Sequence, residues 1–211
     1  MNFKELKEKF KDFLIIDNQS INLLSNPKYI RRQISEWKKK KWLVELKRGT
    51  YVINDLYFKQ KISALYIANK IYGPSYISLE YALSEYELIP ETVNIITSVS
   101  TRKTADFTNR FGRFSYRKIK KELFFGYKIV NLNNQDVLYA TKEKALLDFI
   151  YLNIGSFRES FDDFYHYRFQ NLQNVSWKTF NGFLKNYKNN KLKRIIKLLR
   201  KYLKEENYKE L

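Results

Sequence analysis

The spacing of apolar residues predicts three helices at the start of the chain. Residues 3–14 have apolar positions at helical spacing, and a short second helix is predicted over residues 18–24. For a third helix, Asn26 is a suitable N-cap, and Pro27 suits the first helical position because its missing N–H would be unpaired there anyway. The predicted core positions of the first two helices are Phe3, Leu6, Phe10, Phe13, Leu14, Ile21 and Leu24.

The third predicted helix has two different faces. At about 100° per residue, Ile30, Ile34 and Trp37 fall on one face. The opposite side is mostly basic and consists of Lys28, Arg31, Arg32, Ser35 and Lys39. We therefore expect the apolar face to pack against the first two helices and the basic face to be exposed.

After this helix the pattern becomes that of a β-hairpin. Residues 42–46 and 50–53 are rich in β-branched and aromatic residues, and Gly49 supplies the turn dihedral. Helix, short helix, helix and hairpin is the order of a winged helix-turn-helix, in which the third helix enters the major groove of DNA. Its basic face would meet the groove, and Lys47 and Arg48 the phosphate backbone. A small helical domain with a solvated basic face is the alternative.

The rest of the chain predicts an α/β unit followed by helices. Strands are predicted over residues 93–99, 113–117, 127–132 and 137–140, with a turn at Asn133 and Asn134. Helices are predicted over residues 58–71, after an N-cap at Ser78, and after an N-cap at Thr141 with Glu143 in a capping-box position. The core positions of the last of these are predicted to be Ala145, Leu146, Phe149 and Ile150.

Residues 156–211 are predicted to be helical and to contribute aromatic side chains to a core. These side chains are Phe157, Phe161, Phe164, Tyr165, Trp177, Phe180, Phe183 and Tyr187. The last helix is amphipathic and basic, and docking on the protein is favoured over nucleic acid or an anionic membrane surface. The predicted fold class is α+β: a winged helix-turn-helix over residues 1–55, an α/β domain with a small mixed sheet over residues 56–155, and a helical region over residues 156–211.

Composition then points to a polyanionic partner. The 211 residues include 44% hydrophobic residues, enough to build cores, and 40 basic against 22 acidic residues give a net charge of +18. Between Lys28 and Arg48, basic residues outnumber acidic ones by nine to two. A preference for codons rich in A and T would raise the lysine content, but it explains the excess of basic over acidic residues less well. The local excess favours DNA as the partner of the third helix.

Several kinds of site are excluded or disfavoured. The chain has no cysteine and a single histidine, His166, so disulfides, thiolate catalysis and sites with two imidazoles are excluded. No metal, cofactor or enzymatic activity is expected. No apolar run approaches the roughly 20 residues of a membrane span, and residues 1–10 do not resemble a signal peptide, so a cytoplasmic location is expected.

Several carboxylates leave a metal-dependent nuclease open as an alternative function. Glu36 and Glu45 each precede a lysine by two positions, as in the Glu-x-Lys half of a nuclease metal site, a pattern that recurs by chance in a lysine-rich chain. Asp162 and Asp163 lie near His166, where a cap or surface role is favoured and His166 is interpreted as structural. Glu80, Glu143 and Asp148 are interpreted as helix-cap and helix-surface residues. A metal-dependent nuclease and a basic protein-interaction module remain the alternatives.

A second basic cluster follows in the middle of the chain. It comprises Arg102, Lys103, Arg110, Arg113, Arg117 and Lys118. This possible second basic surface would extend the DNA footprint, contact RNA or oppose a toxin. The alternative is a solvated sheet edge on which lysine and arginine deter aggregation.

The middle segment resembles the AbiEi antitoxin family of abortive-infection toxin-antitoxin systems. The resemblance covers about residues 57–151 and rests on several motifs together: Tyr-Ile-Ser-Leu-Glu at 76–80, Leu-Ile-Pro-Glu at 88–91, Thr-Ser-Val-Ser-Thr-Arg-Lys at 97–103, Phe-Gly-x-Phe-x-Tyr at 111–116 and Glu-Lys-Ala-Leu-Leu-Asp at 143–148. Glu87 departs from the family, which has a small turn residue before Leu-Ile-Pro. Residues 1–55 match it only in their winged-helix layout.

The resemblance implies a function that the residue pattern alone does not. It implies an autorepressor that binds double-stranded DNA at its own promoter and opposes a nucleotidyltransferase-like toxin of a type IV system in phage defence. A stable complex with the toxin is not implied. The oligomeric state stays open, with a dimer on an inverted repeat as one option because many helix-turn-helix proteins bind that way.

Overall fold

The computed structural model describes residues 1–23, 27–54 and 61–207. It has a mixed α+β architecture, which confirms the predicted α+β class. The helices are α1 (Phe3–Lys9), α2 (Asn18–Leu23), α3 (Pro27–Lys39), α4 (Ala64–Ile71), α5 (Leu79–Glu85), α6 (Lys142–Leu152), α7 (Phe161–Tyr167), α8 (Trp177–Leu184) and α9 (Asn190–Asn207). The strands are β1 (Ile16–Asp17), β2 (Leu43–Lys47), β3 (Thr50–Ile53), β4 (Ser75–Ile77), β5 (Ile95–Ser100), β6 (Ala105–Asn109), β7 (Gly112–Lys118), β8 (Tyr127–Leu132) and β9 (Gln135–Ala140).

Helices α1 to α3 and strands β1 to β3 form an N-terminal unit. Its antiparallel sheet has the order β1-β3-β2. The predicted apolar face of α3 is confirmed, because Ile30, Ile34 and Trp37 are buried together with Leu6 and Ile21. The first helix ends earlier than predicted, at Lys9. As a correction, Phe13 lies beyond α1 and is 59% exposed. The predicted core position Leu24 and the predicted N-cap Asn26 lie outside the described residues and stay predictions.

The predicted hairpin is confirmed as β2 and β3, with a turn that requires glycine. Gly49 has φ +79°, and a Cβ at this position would lie 2.9 Å from Nδ2 of Asn18. The Asn18 backbone N–H donates to the Gly49 carbonyl at 2.9 Å. The tip of the hairpin therefore packs on the start of α2.

We expect Gly49→Ala to lower the free energy of unfolding by about 1–3 kcal/mol, because alanine would be strained at positive φ and would crowd Asn18. Gly182→Ala is the matched control, since Gly182 lies in α8 with no heavy atom within 4 Å of an added Cβ. That change should be neutral or stabilising. Urea unfolding of both variants measures the difference, and equal stability would contradict the account of the turn.

The central sheet is mixed and has the order β6-β7-β5-β4-β9-β8. Strands β5 and β7 are parallel, as are β4 and β9, and the other neighbours are antiparallel. The four predicted strands are confirmed. Strands β4 and β6 were not predicted, because β4 has only three residues and β6 exposes Asp106 and Thr108 at a sheet edge.

Of two predicted helix starts, the first needs correction and the second is confirmed. Helix α4 begins at Ala64, after the non-helical residues 61–63, and the Ser63 hydroxyl accepts the Leu65 N–H at 3.2 Å as its N-cap. The predicted start at Phe58 lies outside the described residues. Ser78 does precede α5, but its side chain makes no cap hydrogen bond. Glu87, the departure from the family, has φ +56°, the left-handed conformation for which a small turn residue was expected.

The C-terminal helices pack into the same hydrophobic core as the central sheet. Most of the predicted aromatic positions are confirmed as buried or half-buried, whereas Tyr165 is 49% exposed and is a correction. Helix α9 docks on the protein as favoured, through Leu192, Ile195, Ile196, Leu199 and Tyr202. Across the described ranges, no helix combines the length and the apolar character needed to cross a bilayer. The domain boundaries near residues 55 and 155 stay predictions.

Candidate nucleic-acid interface

The exposed side of α3 carries the predicted groove-facing residues. Arg31, Arg32, Ser35 and Lys39 are exposed on the side away from the buried Ile30, Ile34 and Trp37. The side chain of Lys28 lies outside the described part of the chain. Sequence reasoning missed Tyr29, which is 72% exposed on the same helix. The sequence does indicate this exposure, because Tyr29 is adjacent to the buried Ile30, and adjacent helical residues point about 100° apart.

Two ion pairs shape this surface. Arg32 Nε donates to Glu36 Oε1 at 3.2 Å across one helical turn, and both side chains are exposed. Lys38 forms an ion pair with Glu45 of β2, which connects the end of α3 to the hairpin. Exposed pairs of this kind contribute roughly 0–1 kcal/mol, so the Arg32 guanidinium can exchange Glu36 for another anion at small cost. Both carboxylates of the nuclease-like tripeptides are thus engaged with cations.

The hairpin tip presents only one of its two predicted phosphate contacts to solvent. Arg48 is exposed, whereas Lys47 is half-buried, with its Nζ 5.9 Å from the ring centroid of Phe107 in β6. Asn109 Nδ2 also donates to the Leu46 carbonyl at 3.0 Å. Burial, and then the Arg102 guanidinium, lower the pKa of Lys47. The hairpin therefore lies along the edge of the central sheet, with Lys47 turned towards it.

The residues predicted as one second basic surface do not form a single patch. Arg102, Lys103 and Lys118 lie at one end of β6 and β7, where Ala105 pairs with Tyr116. Arg110 and Arg113 lie at the other end, about 13 Å away along the strand. Sheet register separates residues that are close in sequence.

Arg117 has a different position from the rest of that set. Its guanidinium donates to Asn153 Oδ1 at 2.9 Å and to the Leu152 carbonyl at 2.5 Å. These acceptors lie at the C-terminal end of α6, where backbone carbonyls lack partners within the helix. Arg117 thus holds α6 against the sheet, which corrects its assignment to a free basic surface.

A buried polar cluster in the central unit was also missed. Asp148, interpreted from the sequence as a helix-surface residue, is fully buried and forms an ion pair with the buried Lys144. The Tyr76 hydroxyl donates to Asp148 Oδ2 at 2.8 Å and the Ser78 hydroxyl to the same oxygen at 3.0 Å. Tyr187 donates to Oδ1 at 3.2 Å, and Lys144 Nζ donates to the Tyr187 hydroxyl at 2.8 Å.

The electrostatics of this cluster follow from its burial. Burial raises the pKa of the Asp148 carboxyl and lowers the pKa of the Lys144 ammonium. The attraction between the two groups opposes both shifts, and hydrogen bonds from the Tyr76 and Ser78 hydroxyls oppose the shift of the Asp148 pKa. Burial also raises the pKa of Tyr76 and Tyr187. Every member has a hydrogen-bond partner inside the core, as expected of buried charges that stabilise a fold.

Other predicted carboxylates serve as helix caps. Asp163 is buried and accepts the backbone N–H groups of Arg158 and Ser160, each at 3.1 Å, while Asp162 and His166 are exposed. Glu143 does not complete a capping box with Thr141; its carboxylate accepts the Ser176 N–H at 2.9 Å at the start of α8. Among the residues described, no three or more carboxylate, histidine or cysteine side chains lie close enough together to hold a metal ion.

The segments that carry the resemblance to AbiEi antitoxins meet in the buried cluster. Tyr76 and Ser78 belong to the first motif and Lys144 and Asp148 to the last, and strand β4 and helix α6 bring them together. A scan against models of known protein families and a search of curated proteins found no match for the chain. The family assignment therefore stays a prediction based on these motifs.

Proposed function

We propose that the protein is a DNA-binding transcriptional repressor and that its N-terminal unit is a winged helix-turn-helix with α3 as the recognition helix. The observation that carries the proposal is the exposed side of α3, where Arg31, Arg32, Ser35 and Lys39 lie opposite a fully packed apolar face. The order of helices and the β1-β3-β2 sheet match the layout of such domains.

The dimensions and chemistry of α3 suit the major groove. Its 13 residues span about 20 Å, and the groove is about 12 Å wide, enough to admit a helix. An arginine can donate two hydrogen bonds to guanine O6 and N7, whereas Glu36 can accept one from cytosine N4. Arg48, which is exposed at the hairpin tip, would neutralise a phosphate of the DNA backbone.

We further propose that the repressor is the antitoxin of an AbiEi-type, type IV toxin-antitoxin system. The support is the resemblance over residues 57–151. Tyr76, Ser78, Lys144 and Asp148 lie in the core, so these motif residues would preserve the fold and would not contact a toxin. The adjacent reading frame should encode a nucleotidyltransferase-like protein whose toxicity this chain suppresses on co-expression. A neighbour harmless to the host cell would contradict the antitoxin role.

Arg32→Ala and Arg48→Ala should affect DNA binding in different ways. If Arg32 contacts a base, its loss should cost roughly 1–3 kcal/mol on the DNA upstream of the gene and little on scrambled DNA. Arg48→Ala should weaken both alike and reduce the slope of log affinity against log salt by about one. Lys197→Ala, an exposed change on α9, is the control for overall charge. Equal losses on both DNAs for Arg32→Ala would remove its base-reading role.

A further inference from the structure

A cleft of about 860 Å³ lies between the N-terminal unit and the central unit. One wall is formed by the connection between α1 and α2 and by the hairpin tip, and the other by α4 and the turn after β5. Four basic residues line it: Lys47, Arg48, Lys70 and Arg102. The acidic residues that line it are Asp12 and Asp17.

Three of these cations are positioned by aromatic rings. Lys47 Nζ lies 5.9 Å from the centroid of Phe107. Lys70 Nζ lies 5.2 Å from Tyr66, and the guanidinium carbon of Arg102 lies 4.5 Å from Tyr72. Contacts of this kind hold a cation in place but leave its charge uncompensated.

Carboxylates do not neutralise this group of cations. Within the described ranges, none of the four makes an ion pair with an acidic side chain. Asp17 Oδ1 is occupied by the Ser20 backbone N–H at 2.7 Å. Four basic against two acidic residues leave the lining of the cleft with an excess of positive charge, and an anion in the cleft would reduce the repulsion between its cations. The lowered pKa of Lys47, caused by burial and then by Arg102, is consistent with this environment.

One exposed aromatic ring belongs to the lining of the same cleft. Phe13, 59% exposed, also lines the cleft, although its sequence position predicted a place in the core. A phosphate site next to an exposed ring is the combination that recognises a nucleotide unit, because the cations take the phosphate and the ring stacks on the base.

We propose that this cleft binds the phosphate groups of a nucleotide unit, supplied either by DNA held on the N-terminal unit or by a free nucleotide. If DNA supplies the phosphates, the inference rests on the proposed function; if a free nucleotide supplies them, it does not. Since Lys47 and Arg48 belong to one unit and Lys70 and Arg102 to the other, a bound phosphate would link the two units. The site thus adds Lys70 and Arg102 to the predicted phosphate contacts of the hairpin.

Two titrations test the proposal with Lys70→Ala, Arg102→Ala and the control Lys197→Ala. ATP binding is measured by calorimetry, and binding of the upstream DNA by fluorescence anisotropy. We expect each cleft variant to lower the affinity for ATP, for DNA or for both by about tenfold or more, because hydrogen bonds to charged groups are stronger than those between neutral groups. The control variant should keep the wild-type affinity for both ligands. Circular dichroism verifies that each variant is folded.

The two arms separate the phosphate sources. Loss of ATP binding identifies a free nucleotide, whereas loss of DNA affinity with a smaller salt slope identifies the DNA backbone. Wild-type affinity of both cleft variants for both ligands, or no binding of either ligand by the wild type, would overturn the proposal. If the wild type does not bind the upstream DNA while the cleft variants lose ATP binding, the proposed function fails and the cleft site stands.

Discussion

Asp148→Ala is expected to lower the free energy of unfolding by about 3–5 kcal/mol, because it leaves the buried Lys144 ammonium without its counter-charge. The hydroxyls of Tyr76, Ser78 and Tyr187 lose their shared acceptor in the same change. This loss is large for a domain whose total stability is on the order of 5–15 kcal/mol.

Urea unfolding followed by circular dichroism measures the effect, and Glu85→Ala is the matched control because Glu85 is exposed on α5. The control should change stability by no more than about 0.5 kcal/mol. Asp148→Asn separates charge from shape: it keeps an acceptor for the hydroxyls but should still destabilise the protein by leaving Lys144 unpaired. Wild-type stability of Asp148→Ala would show that the buried cluster does not support the fold.

The double variant Arg31→Glu/Arg32→Glu is expected to weaken binding to the upstream DNA by about 100-fold or more. Two cations proposed to face phosphates and bases become anions, and like charges placed together at an interface cost several kcal/mol. Both side chains are exposed on α3, so the variant should retain the fold. Anisotropy at low salt measures the loss.

Lys193→Glu/Lys197→Glu is the matched control for this variant. It makes the same change in net charge on the exposed side of α9. A loss confined to the α3 variant places the interface on α3. Equal losses in the two variants would show that overall charge, and not the recognition helix, determines binding.

Local patterns explain why much of the fold was predictable. The positions of Ile30, Ile34 and Trp37 follow from helical spacing alone, and the hairpin follows from its two apolar arms and Gly49. Strands β4 and β6 lacked such a pattern. Strand β4 is too short to show alternation, and β6 is an edge strand whose exposed positions resemble a loop.

The candidate site was predictable only where one element determines it. The basic face of α3 is a property of a single helix, so its exposure could be predicted from spacing. The separation of Arg102 from Arg110 depends on strand pairing, and the burial of Asp148 depends on contacts about 70 residues away in the chain. One signal was available: residues 145–150 of α6 are almost entirely apolar, and a helix that is apolar on all sides is buried together with its charged residues.

The proposal that α3 reads a specific DNA sequence is tested most directly by anisotropy of the wild-type protein on its own upstream DNA and on scrambled DNA of equal length, at two salt concentrations. We predict affinity for the upstream DNA higher by roughly 10³-fold or more, and affinity that falls steeply with salt on both DNAs. Equal affinity for the two sequences, or binding that is insensitive to salt, would contradict the account.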